Sequence, residues 1–373
     1  MLLKDYGIEG YGTTSKGISG RIKVRDDDFI VSEIISQNAR SVFCSNGYPL
    51  FTVQRHGFTT LETNRILQKA LGAKFNILGL KDKRALVRQF FSCRVKKQTI
   101  QIWRSERIVA YHKSDTSRPL TRQDLIGNAF DVKIDSAKGN DSIMEELGVS
   151  LHGNKIPNFF GEQRFSGMNH KIGMAIVKRD FRLASELIGY SCSGIEDCIK
   201  SLRKVQIQIR RLFINSLQSY LFNKCLSLIL KDRGLVMDTK AFYIAKHPSI
   251  PYVDYKIRKY DQVPKSLDPV PLCPLPGYAF RAREDIYSKT MNTVLEDEGL
   301  RASDFYLKEM QELSVEGGFR GASMIGWFKG WQQDSGSSIR LKFILFKGGY
   351  GTMLLREVLK DNFTTQASAD PGI

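Results

Sequence analysis

The sequence has no Cys-x-x-Cys pair and no His-x-x-x-His, and its six cysteines and five histidines are scattered over 373 residues. That excludes the ligand spacings of a structural zinc site. The thiols Cys44, Cys93, Cys192, Cys198, Cys225 and Cys273 are expected to be mostly buried and reduced. No apolar run approaches the roughly 18 residues of a membrane span, and residues 1–6 lack the regions of a signal peptide. A soluble intracellular protein is expected, cytoplasmic or, in a eukaryote, nuclear. There is no Gly-x-Ser-x-Gly elbow, no local Cys–His signature and no phosphate-loop lysine, which removes the familiar hydrolase and nucleotidase sets. Gly10-x-Gly12 lacks the third glycine of a dinucleotide fingerprint. Acidic residues are also scarce: 39 Asp and Glu stand against 56 Lys and Arg, a net charge of +17. A basic excess spread along a folded chain points to a polyanionic partner, most often nucleic acid.

What is present is organised around Asn76-Ile77-Leu78-Gly79-Leu80-Lys81-Asp82-Lys83-Arg84-Ala85. An apolar run enters a tight turn with a lone carboxylate, Asp82, at its tip. Lys81, Lys83 and Arg84 surround it with positive charge, which favours the ionised form. The plain alternative is a surface turn with a salt bridge.

The glycine-rich residues 1–20 read as a mobile arm, or as a loop laid over the surface. A strand pair is expected around Asp26-Asp27-Asp28, and another strand at 48–55. A helix follows, opened by the capping box Thr59-x-x-Glu62 and stopped at Gly72, with Leu61, Ile66, Leu67, Ala70 and Leu71 on its apolar side. Strands are expected at 75–80, 86–95 and 126–134, and a short helix near 141–149. Residues 170–232 read as helical, with the longest helix over 205–230 ending at Gly234. Residues 235–285 hold most of the prolines and read as irregular and loop-rich. Short helices follow to about residue 312. After Gly317-Gly318, Ile339, Leu341, Phe343 and Leu345 alternate with Arg340 and Lys342 as a strand, Thr352 is placed to cap a last helix, and the tail beyond 362 is expected to fray. The chain therefore reads sheet, helices, sheet: an α+β fold rather than a doubly wound one.

Between these elements, Asn158-Phe159-Phe160-Gly161-Glu162-Gln163-Arg164-Phe165 packs rings, amides and a guanidinium into a loop with no regular period. In a basic protein such a loop suits an extruded base, stacked on a ring and read by amides. The plain alternative is that the phenylalanines are core beneath a loop.

These stretches resemble the TruD-type family of RNA pseudouridine synthases. The family shows a Gly-x-Lys-Asp turn, then basic residues and a Gln; here Gly79-Leu80-Lys81-Asp82-Lys83-Arg84 with Gln89. It shows Asn-aromatic-Phe-Gly-x-Gln-Arg-Phe-Gly, matched from Asn158 to Phe165 with Ser166 in place of the final Gly. Its C-terminal segment is matched by Gly348-Gly349-Tyr350-Gly351-Thr352-Met353-Leu354-Leu355-Arg356-Glu357, with Gly351 in place of an Ala. Weaker matches are Lys23 before Asp28-Phe29-Ile30-Val31-x-Glu33, Leu125-Ile126-Gly127-Asn128-x-Phe130, and Leu217-Gln218-Ser219-x-Leu221-Phe222-Asn223. Leu86-Val87-Arg88 departs from the family's usual Val-Thr run.

The resemblance implies a catalytic domain with a mixed, largely antiparallel sheet over 21–183 and 317–373, interrupted by a mostly helical insertion at 184–316. It implies isomerisation of a uridine in structured RNA, most often tRNA at uridine 13, with no metal, redox or nucleotide cofactor. Asp82 would be catalytic, as nucleophile or as base. Arg356 and Lys23 would supply cations to its pocket, Phe160 would stack on the base, and Asn158 would hydrogen-bond around it. Gln163 and Arg164 would shape the loop or bind backbone. The partner expected is RNA, the membrane is not involved, and a monomer is expected. Arg203, Lys204, Arg210, Arg211, Lys256, Arg258, Lys259, Arg281 and Arg283 in the insertion are expected to face solvent and grip phosphates. The alternative is a non-catalytic RNA-binding protein or RNA chaperone on the same fold. A glycoside-cleaving enzyme would want a second carboxylate, for which Glu33 and Glu162 are the candidates.

Overall fold

The computed structural model describes residues 3–81, 83, 85–94, 101–137, 139–334 and 337–362. The chain forms two compact units. One comprises Ser15–His152, Ser249–Tyr252 and the residues from Gly326 on; the other comprises the residues up to Thr14, Gly153–Pro248 and Val253–Ile325.

The first unit opens with β1 (Arg21–Ile22), β2 (Phe29–Ile35), α1 (Gln37–Arg40), β3 (Phe43–Cys44) and β4 (Tyr48–Arg55). It continues through α2 (Thr60–Leu71), β5 (Phe75–Ile77), β6 (Leu86–Cys93), β7 (Ile102–Arg104), β8 (Ile108–Thr116), β9 (Leu125–Asp135) and α3 (Asp141–His152). Helix α2 has the expected capping box between Thr59 and Glu62, and Gly72 closes it in the left-handed conformation. Its inner face packs Leu67 and Leu71 on Phe51, Val53, Phe75 and Phe91 of the sheet. Leu61 is instead turned to solvent.

The second unit carries α4 (Asn169–Val177), α5 (Phe181–Leu187), α6 (Ile195–Lys204) and α7 (Ile207–Arg233). It then adds β10 (Tyr243–Lys246), β11 (Val253–Arg258), β12 (Asp268–Leu275), α8 (Ile286–Asp297) and β13 (Gly318–Gly321). Helix α7 ends at Gly234 as expected and buries residues on most of its sides, among them Phe213, Leu217, Leu221, Phe222 and Leu226. It packs against α4, α8 and β12. The segment expected to be irregular supplies β10, β11 and β12, which with β13 form a four-stranded sheet in the order β11-β10-β12-β13.

The chain then returns to the first unit with β14 (Gly326–Asp334), β15 (Ser338–Phe346) and α9 (Gly351–Leu359). Among the described residues the first unit's sheet has eleven strands, with the path β14-β15-β9-β2-β6-β4-β8-β3. It is mixed and largely antiparallel: β2 and β6 run parallel, and the other paired strands run antiparallel. The α+β architecture is thus the observed one.

Several local expectations are corrected. Residues 3–20 are packed rather than a mobile arm. Tyr6 stacks on Phe165 at 4.6 Å, Asn223 Nδ2 donates to the Tyr6 carbonyl, and Ser227 Oγ donates to that of Gly7. Ile18 is buried, and its N–H donates to the Val358 carbonyl. Thr352 lies inside α9 and Tyr350 takes the capping position. A β-carbon at Gly351 would stand 2.7 Å from the Phe130 ring, so this helix start needs a glycine. Cys192 and Cys198 are joined by a disulfide rather than reduced, while Cys93, Cys225 and Cys273 are buried thiols. The compact units change over at 152/153 and 325/326 rather than at 183/184 and 316/317, because α4 and α5 pack within the α7 unit. The expected tail beyond 362 lies outside the described residues, as does Val95 at the end of the expected strand 86–95. Among the described residues no helix is long and apolar enough to cross a membrane.

Candidate active site

Asp82 and Arg84 lie outside the described residues, but the chain on either side of Asp82 is held in detail. The period of two in the sheet explains how. Phe29, Val31, Glu33 and Ile35 of β2 point to the core, as do Val87, Gln89, Phe91 and Cys93 of β6, and Phe51, Val53 and Arg55 of β4. Three polar side chains are therefore sent inward on adjacent strands, where each must find partners. They find them in one another and in the turn. Gln89 Nε2 donates to the Gly79 carbonyl at 2.9 Å. Arg55 donates to the Lys81 carbonyl at 3.1 Å and to Gln89 Oε1 at 3.0 Å. Thr60, the first residue of α2, accepts from Lys81 N–H at 2.9 Å and donates to Gln89 Oε1 at 3.0 Å. Beyond the tip, Gly57 N–H donates to the Lys83 carbonyl at 3.2 Å. Leu78, wholly buried with Leu50 and Leu125, fixes the leg entering the turn.

Lys81 is not part of a cationic rim around Asp82. Its ammonium runs inward to Glu33 Oε1 at 2.8 Å, and both side chains are buried. Gly79 makes room for this pair: a β-carbon there would stand 2.5 Å from Lys81 Nζ and 2.9 Å from Glu33 Oε1. Glu33 is likewise fully engaged, with Oε1 also accepting from Gln89 at 3.3 Å and Oε2 from the Phe90 N–H at 2.8 Å. Both of its oxygens are thus taken up by protein donors. Lys23 and Arg356 fall in the same unit as the turn. Lys23 is half-buried in the left-handed backbone region (φ 58°), with its ammonium 4.6 Å from the Phe29 ring. Arg356, on α9, is 5% exposed.

The second motif lies in the other unit. Phe159 and Phe165 are core. Phe160 does not present an open ring: it is 8% exposed, meets Phe222 edge-on at 5.4 Å, and carries the Arg320 guanidinium 4.0 Å from its centroid. The Phe160 peptide is clasped by one side chain, Asn223, which accepts from its N–H (2.9 Å) and donates to its carbonyl (3.1 Å). Asn158 donates to the Gly321 carbonyl (3.1 Å) and accepts from Arg320 (2.8 Å). Arg164 bonds Ser219 Oγ at 3.1 Å and receives Ser216 Oγ at its carbonyl, so it shapes the loop against α7. Gln163 stands exposed on the 3-10 turn Glu162–Arg164. Ser166, where the family has glycine, adopts φ 39°, a conformation that costs a side-chain-bearing residue on the order of 1 kcal/mol.

Arg55, Thr60 and Arg320 were not singled out from sequence. Arg55 carries the signal that could have found it, a charge at an inward position of an alternating strand, and Glu33 shares that signal. Arg320 carries none, since its partner Asn158 is 162 residues away.

The family model for tRNA pseudouridine synthase D (TruD) matches residues 5–194 and 187–358. A relative from Thermococcus sibiricus, named a probable tRNA pseudouridine synthase D, is 26% identical over 94% of this chain and 97% of its own. One of the same name from Picrophilus torridus is 27% identical over 96% and 98%. The crystal structure of a protein described as tRNA pseudouridine synthase D from Methanosarcina mazei has the same fold, with a TM-score of 0.73 at 22% identity over 96% of this chain and 97% of that one. With the matched segments spanning nearly its whole length, the chain belongs to the tRNA pseudouridine synthase D family of isomerases.

Proposed function

We propose that the chain converts a uridine of tRNA to pseudouridine, with uridine 13 as the target its family resemblance implies and Asp82 as the group that works at the sugar. The N1–C1′ bond breaks, the uracil turns, and C5 bonds to C1′. Asp82 either attacks C1′ and is displaced when C5 bonds there, or removes a sugar proton and returns it at that step; C5 then loses its proton and N1 gains one. Arg356 pairs with the carboxylate and orients it, and Lys23 supplies a second cation to the same pocket. Asn158 and Phe160 receive the base, while Gln163 and Arg164 shape the loop around it. Bonds are exchanged within one nucleotide with no net redox change, so the reaction calls for no cofactor. The unit containing the turn is the catalytic body and the α7 unit helps to hold the RNA. The enzyme acts inside the cell, as a monomer.

The observation that supports this reading is the buried network that holds the chain leading into residue 82. Polar groups from β2, β4, β6 and α2 are withdrawn from water to fix the backbone of Gly79 and Lys81. Binding RNA by charge asks for dispersed, mobile cations and has no use for such a carrier. Chemistry at one carbon does, because a reacting group must be held within about half an ångström of its working position. Asp82→Ala is expected to abolish tritium release from tRNA carrying 5-tritiated uridine while RNA affinity stays within about tenfold. Full release from the variant would overturn the assignment and favour the non-catalytic RNA-binding reading.

A further inference from the structure

Within the unit that carries the turn, α2, β5 and the end of β6 border a cavity of about 400 Å³, a size that suits a nucleotide. Asn64 and Gln68 of α2 line it, with Lys74, Asn76, Arg94 and Arg122. Thr60, Asn64 and Gln68 are spaced four apart, so they share one face of the helix. Thr60 holds the turn at Lys81, and the two amides lie about 6 and 12 Å further along the helix axis. The cavity therefore adjoins the turn without including it. Its described lining carries three cations and no carboxylate. Asp124, next in the chain after Gln123, is taken up by Arg118 at 2.7 and 2.9 Å and by the Thr121 N–H at 2.7 Å.

The cations stand on fixed backbone. Arg94 N–H donates to the Lys74 carbonyl at 2.9 Å. The approach to Arg122 is pinned at Leu120, whose N–H donates to Ser92 Oγ at 2.8 Å and whose carbonyl accepts from Asn76 Nδ2 at 3.1 Å. Arg94 Nε donates to Asn76 Oδ1 at 2.6 Å, which leaves the fork of its terminal nitrogens for a phosphate. Asn64 Oδ1 is buried and makes no hydrogen bond to the described residues. An acceptor in that state calls for a partner, and the polar edge of a base supplies one.

We propose that this cavity holds one nucleotide of the RNA substrate other than the target uridine, with its phosphate on Lys74, Arg94 and Arg122 and its base edge on Asn64 and Gln68. The phosphate contacts set the position of the strand, and the amides sense which base is seated. No bond is made or broken here. Because α2 carries both the amides and Thr60, a nucleotide seated in the cavity holds the strand in register with the turn. The inference rests on the reading that the chain acts on RNA.

The test uses the full chain with a tRNA transcript carrying 5-tritiated uridine, and measures affinity against salt and single-turnover rate at saturating enzyme separately. Arg94→Gln with Arg122→Gln is expected to weaken affinity at least about tenfold, a larger loss than in the saturating rate, and to shallow the slope of log affinity against log salt by about one to two. Arg65→Gln with Lys69→Gln, at exposed positions of α2 outside the cavity, removes equal charge and should cost less than about threefold. Gln68→Ala should weaken affinity about three- to tenfold with the slope unchanged, because an amide carries no charge. Equal losses from the two charge pairs, or no loss from the cavity pair, would overturn the proposal. An effect of the cations with none from Gln68 would reduce the site to a phosphate contact and overturn the nucleotide. Tight binding of uridine monophosphate alone, lost in the cavity pair, would make a free nucleotide the ligand and overturn the RNA. If the cavity pair does not fold, Arg122→Gln decides, with a slope shallower by about one in support and an unchanged slope against. Wild-type protein that releases no tritium would instead sink the functional reading. Active wild type with RNA affinity untouched by the cavity pair would sink this inference alone.

Discussion

The buried pair of Lys81 and Glu33 is the side-chain detail on which the proposed catalytic turn depends most. Removing one partner strands the other charge away from water, at a cost of about 3–5 kcal/mol, whereas removing both together is often close to neutral. Glu33→Gln and Lys81→Met are each expected to lower stability by about 3 kcal/mol, with the double variant losing at least about 1 kcal/mol less than their sum. Urea unfolding of the four proteins checks this, and strict additivity would mean that the pair is not coupled. The carboxylate of Glu33 and the amide of Gln89 could be read as inward-facing from the alternation of β2 and β6. Their convergence on the Gly79 and Lys81 peptides could not, because it depends on the register of three strands. For the same reason Lys81 read as a surface cation: flanking charges in a turn look alike whether they face water or a buried acid.

At the scale of elements, the legible pieces are those whose signals are local. Helix α2 declares both of its ends through Thr59, Glu62 and Gly72, and α7 is stopped by Gly234. Strand β12 was hidden by its prolines, which ordinarily argue against a paired strand. The structure shows how they are tolerated. Leu272 N–H donates to the Phe242 carbonyl, so Pro269 and Pro271, at alternate positions, keep their ring nitrogens off that ladder, and the Pro271 carbonyl still accepts from Ala322. Pro274 lies past the end of the β10 pairing at Tyr243↔Pro271. The N-terminal segment was ambiguous because its glycines fit a loose arm or a fitted strap equally well. It is a strap, and His170 sits beneath it, against Tyr6, Phe165 and Tyr220. Burial, reinforced by Lys171 and opposed by Asp5 and Glu298, pulls the imidazole from 6.5 down to about 4. The folded value is the depressed one, so this contribution is fully present above about pH 6.5 and is lost as pH falls toward 4. His170→Phe should therefore gain about 2–3 kcal/mol relative to wild type between pH 7.5 and 4.5 in urea unfolding. A difference that does not change with pH would show that the imidazole titrates normally.

For the whole molecule, the net charge of +17 does not translate into an equal number of phosphate contacts. Arg203 and Arg210 are committed to Glu312, Arg258 to Asp254 and Arg283 to Asp285, which corrects the expectation that the insertion's cations all face RNA. Lys256 and Lys259 remain exposed on and just beyond β11, the edge of its sheet. Lysines there either meet RNA or guard the edge against pairing with another chain. If they meet RNA, Lys256→Glu with Lys259→Glu should shallow the slope of log affinity against log salt by about one to two, without changing which uridine is modified. An unchanged slope would leave edge protection as their task. The large sheet has a different exposure problem, one of time. Strand β9 is paired on one side by β2, made early, and on the other by β15, more than 200 residues later. On the ribosome it must wait through the synthesis of everything between Asp135 and Ser338 with one row of amides unpaired. A message broken or stalled within that interval yields a chain whose central sheet ends in an open strand. Such a chain is a template for aggregation and a ready substrate for quality-control proteases.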